Sequence, residues 1–146
     1  MKNNKGFTLL ELLLCIFIMA LILSIPIFRI SIFQGFKEKQ EIKEFVKDIN
    51  YTRNRSIIEG ISHSIIIDTK RNSYTMYKLE EDIKKQIKDK ELKGGLQIQW
   101  TNTKEVVFNH SGAVYGAGTI RLKNSKGEII EITISPVTSR ININYK

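Results

Sequence analysis

Residues 1–28 read MKNNKGFTLLELLLCIFIMALILSIPIF, and this stretch decides how the rest of the chain is deployed. A short leader carrying Lys2 and Lys5 ends at Gly6. From Phe7 to Phe28 the chain is apolar, broken only by Thr8, Glu11, Ser24 and Pro26. At a helical rise of about 1.5 Å per residue this run covers roughly 33 Å, enough to cross a bilayer core of about 30 Å. It therefore predicts a transmembrane helix over residues 7–28. Glu11 is out of place in such a helix. On insertion scales the related Asp costs about 2.5–3.5 kcal/mol at mid-bilayer, and less toward the interface. A carboxylate there calls for a compensating partner.

Simpler assignments account for less. A secretory signal peptide has a shorter apolar core, followed by a small-x-small cleavage site. Residues Ile25-Pro26-Ile27-Phe28-Arg29 offer no such site. A plain single-pass anchor explains the length but neither Glu11 nor the abrupt Gly6–Phe7 junction. By the positive-inside rule Lys2 and Lys5 hold the leader in the cytoplasm, which puts the chain after the span outside it. Arg29 and Lys37 on the far side are a mild counter-signal.

The run Lys5-Gly6-Phe7-Thr8-Leu9-Leu10-Glu11 resembles the KGFTLxE signature of type IV prepilins and pseudopilins. The resemblance implies that a prepilin peptidase cuts between Gly6 and Phe7 and methylates the new amino terminus at Phe7. It implies that Glu11 then pairs with the terminal amine of a neighbouring subunit during assembly. It also implies an assembly platform protein and a cytoplasmic ATPase as indirect partners, with other pilin or pseudopilin subunits as direct ones. The physics is compatible. Cleavage creates a cation at Phe7, one helical turn from Glu11, and the free N–H groups of a helix start favour an anion nearby. Apolar surroundings strengthen the pair but raise the desolvation cost of each charge, so Glu11 reads as a device for register rather than for monomer stability.

The chain has 146 residues, and after leader and anchor it has room for one small domain. The net charge is +8, of which Lys2 and Lys5 supply two, and the remaining cations are scattered from Arg29 to Lys146. Such scatter suits a solvated surface better than a nucleic-acid stripe, although it leaves a polyanion such as DNA as an alternative partner. Cys15, inside the apolar run, is the single cysteine, so no intrachain disulfide is available and packing must hold the exported domain. His63 and His110 stand far apart without Cys or Asp-rich company, and each is expected to be a half-buried strand or loop residue. No metal site, cofactor site or catalytic constellation is expected. Gly112, Gly116 and Gly118 precede a strand rather than a helix, which excludes a dinucleotide loop.

Beyond the anchor, Pro26 is expected to kink or loosen the helix, and Gly35 adds a second soft point. Ile42, Phe45, Val46, Ile49 and Ile57 recur at helical spacing and predict an amphipathic helix over residues 29–60, stopped by Gly60. Residues 61–146 read as strands. Ile61, His63, Ile65 and Ile67 alternate with Ser62, Ser64 and Ile66, Thr69–Asn72 makes a turn, and Tyr74–Leu79 returns. Glu80 to Lys93 is too charged to decide between a short helix and an exposed loop. Leu96, Ile98 and Trp100 alternate in a half-buried strand, and Val106 and Phe108 begin another. Asn109–Gly118 is a loop. Ile120 and Leu122, a turn with Gly127 at positive φ, and Ile130, Ile132 and Ile134 form a hairpin. Ile141, Ile143 and Tyr145 close the chain. Strict alternation predicts one buried face on an antiparallel sheet laid on the helix stripe. The expected fold is α+β and pilin-like: cleaved leader 1–6, transmembrane helix 7–28, amphipathic helix 29–60, antiparallel sheet domain 61–146.

A second pattern refines this. Phe108-x3-Gly112, Gly118-Thr119-Ile120 and Thr138-Ser139-Arg140-Ile141 resemble the C-terminal region of H-type minor pseudopilins of type II secretion systems, a layout shared with related minor pilins and competence pseudopilins. The late motif in that group usually has glycine where this chain has Ser139. The resemblance implies a minor subunit of a pseudopilus or type IV pilus serving secretion or DNA uptake. Its expected location is the cytoplasmic (inner) membrane, by a single pass with an extracytoplasmic domain, and after assembly a cell-surface or periplasmic filament. The competing functions are a membrane-tethered DNA-binding module and an extracytoplasmic sensor or enzyme on an ordinary anchor.

Overall fold

The computed structural model of the chain describes residues 8–24, 29–80 and 83–146. Gly6, Phe7 and Pro26 lie outside the described residues, so the cleavage junction and the expected kink do too. The chain divides into two compact units, Met1–Phe33 and Gln34–Lys146.

In the first unit, helix α1 (Leu9–Ser24) buries none of its residues. Leu9, Leu10, Leu12, Leu13, Phe17, Met19, Ile22 and Leu23 are all exposed, as is Cys15. A helix that is apolar on every side needs a medium or neighbours to cover it. Among the described residues no helix is long and apolar enough to cross a membrane, α1 itself having 16 residues. Both ends of the expected span fall outside those residues.

Helix α2 (Arg29–Glu59) supplies one side of the core of the second unit. Ile42, Phe45 and Ile49 are buried, and Val46 packs against the same cluster. Ile57, expected on this stripe, is instead exposed. The inward positions of the last turns are Thr52 and Ser56, both fully buried. Their hydroxyls donate back to the carbonyls of Asp48 (2.8 Å) and Arg53 (2.6 Å), which makes small polar residues tolerable there. Glu38, Ile42, Phe45, Ile49, Thr52 and Ser56 thus form one seam at alternating three- and four-residue steps. Gly60, at φ 65°, ends the helix.

The strands form two antiparallel sheets rather than the single one expected. The first has order β3-β2-β1-β5-β6, built from β1 (His63–Asp68), β2 (Ser73–Glu80), β3 (Ile83–Glu91), β5 (Glu105–Phe108) and β6 (Val114–Tyr115). The second has order β4-β7-β8-β9, built from β4 (Gln97–Thr101), β7 (Thr119–Lys123), β8 (Ile129–Ile134) and β9 (Ile141–Tyr145). Both sheets contribute to one core with α2: Ile65, Tyr74, Met76, Val106 and Phe108 from the first, and Ile98, Ile120, Leu122, Ile130 and Ile132 from the second. Each fully buried side chain of this size contributes about 1.5–3 kcal/mol.

Three further expectations are corrected. Residues 83–91 are neither helix nor loop but the strand β3, an edge strand held by pairs from Ser73↔Glu91 to Glu80↔Ile83. The stretch Asn109–Gly118 contains the two-residue strand β6, paired to β5. Trp100 does not share the buried face of Leu96 and Ile98. The register shifts between Ile98 and Trp100, so Gln99 bulges and the indole turns outward, where the Arg121 guanidinium lies 5.1 Å from its ring centre. The face of β9 is likewise not buried throughout, since Ile143 and Tyr145 remain exposed.

Candidate functional site

Glu11 sits in the first turn of α1, three residues after Thr8. Its Oε2 accepts from the Thr8 backbone N–H (2.9 Å) and from the Thr8 hydroxyl (3.0 Å), while the Glu11 N–H donates to Thr8 Oγ1 (3.3 Å). This is a reciprocal capping box: two otherwise unpaired donors at a helix start are satisfied by two side chains. The carboxylate therefore has partners in its own chain, on the residue directly after Phe7. The functional reading of the sequence missed Thr8, although a Thr-x-x-Glu spacing before an apolar run was a visible signal for it.

The loop that carries the second pattern is docked on the end of α2. Gly112, at φ 78°, offers its carbonyl to Arg53 Nε (3.2 Å), and a Cβ there would lie 2.6 Å from Ile57 Cδ1. Gly116, at φ 74°, is tighter still, because a Cβ would meet the Glu105 carbonyl oxygen. Ser139 occupies the left-handed region at φ 51°, the conformation that glycine adopts freely, and its N–H donates to Ser135 C=O (2.9 Å).

Two other sequence candidates carry no site. His63 is fully buried rather than half-buried, with Nδ1 2.9 Å from Ile61 O and Nε2 3.6 Å from Glu59. His110 is exposed in the turn after β5. Among the described residues no group of His, Cys, Asp and Glu is placed to hold a metal ion. The charges that do converge join α2 to β3. Lys88 Nζ donates to Glu44 (2.8 Å) and Asp48 (2.6 Å), Lys90 reaches Glu44 (2.9 Å), and the Tyr74 hydroxyl donates to Asp48 (2.6 Å). The ammonium of Lys88, then that of Lys90, hold the Glu44 carboxyl below its ordinary value. Burial and the bond to Asp48 push the Tyr74 phenol upward.

Residues 1–25 match the family model described as the prokaryotic N-terminal methylation motif. The matched residues precede a second unit in which a helix packs on two antiparallel sheets. A solved structure with a similar fold is that of the minor pseudopilin EpsH from the type 2 secretion system of Vibrio cholerae, at a TM-score of 0.62 and 17% identity, over 73% of this chain and 95% of that one. No curated protein matches the chain.

Proposed function

We propose that the chain is a minor pseudopilin, a structural subunit cleaved between Gly6 and Phe7, methylated at Phe7 and assembled through Glu11. The carrying observation is the joint presence of the methylation motif and a pseudopilin fold in one chain. The exposed surface of α1, apolar except for Glu11 in its first turn and Ser24 at its end, supports a single-pass anchor in the cytoplasmic membrane before assembly and a helical bundle after it. The sheet domain then lies outside the cytoplasm and makes the contacts with other subunits or with cargo. Secretion through a type II system fits the EpsH-like fold, and a DNA-uptake pseudopilus shares the same plan. The alternative of a tethered DNA-binding module has less support, because Lys78, Lys84, Lys88, Lys90 and Arg121 are each tied to carboxylates instead of forming an open stripe.

The capping box gives Glu11 two successive roles. It closes the helix start on Thr8, and it holds a carboxylate one turn from the amine that cleavage would create. The test is a mass measurement on chain isolated from its native host together with a Glu11→Ala variant. The expected mass corresponds to residues 7–146 plus one methyl group, and the variant should be processed but absent from filaments. A chain that still begins at Met1, or filaments that accept Glu11→Ala, would remove this function.

A further inference from the structure

Among the four sheet edges, three are blunted. β3 carries Lys84, Lys85, Lys88 and Lys90 and is bulged where the register shifts opposite Met76 and Tyr77. β4 is bulged at Gln99, and its Ile98 N–H is taken by the Asn72 side chain (2.7 Å). β6 has two residues. β9 has none of these protections: it reads Ile-Asn-Ile-Asn-Tyr, without charge, proline or bulge, and pairs regularly with β8 from Ile134↔Ile141 to Ile130↔Tyr145.

The hydrogen-bond phase of β9 follows from its ends. Lys146 and Ile129 exchange both backbone bonds (2.8 and 3.2 Å), and Ser135 N–H donates to Arg140 C=O (2.9 Å). Alternation then turns the backbone groups of Asn142 and Asn144 toward β8 and those of Ile141, Ile143 and Tyr145 outward. Among the described residues no strand takes these outward groups.

We infer that β9 is a pairing edge for a second copy of this chain, joined antiparallel about a two-fold axis through Ile143. Only this register pairs all three outward residues of β9 with one another. Ile143 faces Ile143 of the other copy, and Ile141 faces Tyr145, so every outward N–H and C=O meets a partner. Asn142 faces Asn144 on the opposite face. The paired apolar side chains continue the face formed by Ile130, Ile132 and Ile134, and the two four-stranded sheets become one. Charge does not oppose the register strongly. Arg140 faces Lys146, whose ammonium lies 2.9 Å from Glu131, a carboxylate that it shares with Arg121, so the like charges oppose the register only at its two ends. A slip of one residue would set the outward groups against the wrong phase and place isoleucine beside asparagine. Three such residue pairs bury less than the roughly 1,000 Å² of a stable interface, so the pair is a reversible one. It requires neither cleavage nor filament growth.

Cysteine cross-linking of the full chain in membranes of a host without a prepilin peptidase tests this apart from the filament function. In a Cys15→Ser background, Ile143→Cys should give a disulfide dimer on mild oxidation, since opposed residues in such pairs lie about 5.5 Å apart between Cα atoms, within disulfide reach. Asn142→Cys co-expressed with Asn144→Cys should cross-link, and Asn142→Cys alone should not. Ile143→Pro removes an outward N–H that the fold does not use. It should therefore keep the melting temperature but abolish the Asn142/Asn144 cross-link. Absence of the Ile143→Cys dimer would overturn the inference. So would an Asn142→Cys dimer as abundant as the mixed one, or a mixed cross-link that survives Ile143→Pro.

Discussion

Asn72 shows how much a single turn residue can hold. It takes φ 52°, a region that asparagine tolerates better than most residues, and so closes the turn between β1 and β2. Its side chain then fastens the two sheets: Nδ2 donates to Leu92 C=O (2.8 Å) and Leu96 C=O (2.7 Å), and Oδ1 accepts from Ile98 N–H. Removing it leaves three part-buried backbone groups without their partner. Asn72→Ala should cost about 3 kcal/mol in chemical denaturation, near the upper end for such losses. Asn72→Gly, which accepts the same φ, should lose almost as much, and full stability in that variant would show that the backbone rather than the amide matters. Ser139 presents the opposite case, a strained position at φ 51° that glycine would adopt freely. Ser139→Gly should raise stability by about 1 kcal/mol. The turn at Thr69–Asn72 was legible from the sequence, but the sheet-to-sheet bridge was not, because nothing local announces that a turn side chain reaches residues 20 and more positions away.

At the scale of elements, β3 explains why a charged stretch resisted assignment. A strand is read from apolar residues at every second position, and here lysines occupy the positions that face α2. Their partners, Glu44 and Asp48, lie on a different element more than 35 residues away, so the pairing becomes visible only after folding. The helix misled in the reverse direction: Ile57 looked like core and is exposed, while Thr52 and Ser56 are buried by satisfying their hydroxyls locally. The seam between α2 and β3 predicts a pH dependence. Glu44 is held below its ordinary value, so its contribution is present above the unfolded carboxylate pKa and is lost as pH falls through the folded one. Melting temperature should therefore decline on acidification below about pH 4.5, and Glu44→Gln should flatten that acid limb. An unchanged acid limb in this variant would show that the seam carries no net coupling. Burial works against the Lys88 charge, but its bonds to Asp48 and Glu44 outweigh it and raise its pKa, so Lys88 keeps the seam intact through neutral pH.

For the whole molecule, the sequence made the class of fold readable and left the topology hidden. An apolar run with one offset acid, then a helical stripe, then alternating strands is a sequential pattern that survives without coordinates. That β1 joins β2 and β5 in one sheet while β4 leaves to join β7 in another depends on pairings between distant segments, which periodicity cannot rank. The division of labour between the two units is nonetheless sharp. The buried apolar side chains run from Ile42 to Ile134, and α1 contributes none of them. A chain beginning at Gln34 keeps that core, both sheets, the Asn72 bridge and the seam to β3, while losing the exposed apolar surface of α1. It should dissolve without detergent and unfold in a single transition. Its melting temperature should lie within about 2 °C of the full chain's in detergent, since a shift of several degrees would require about 1 kcal/mol of lost stability in a domain of this size. A much lower melting temperature would mean that residues before Gln34 hold the sheet domain together, and that the two units are not energetically separate.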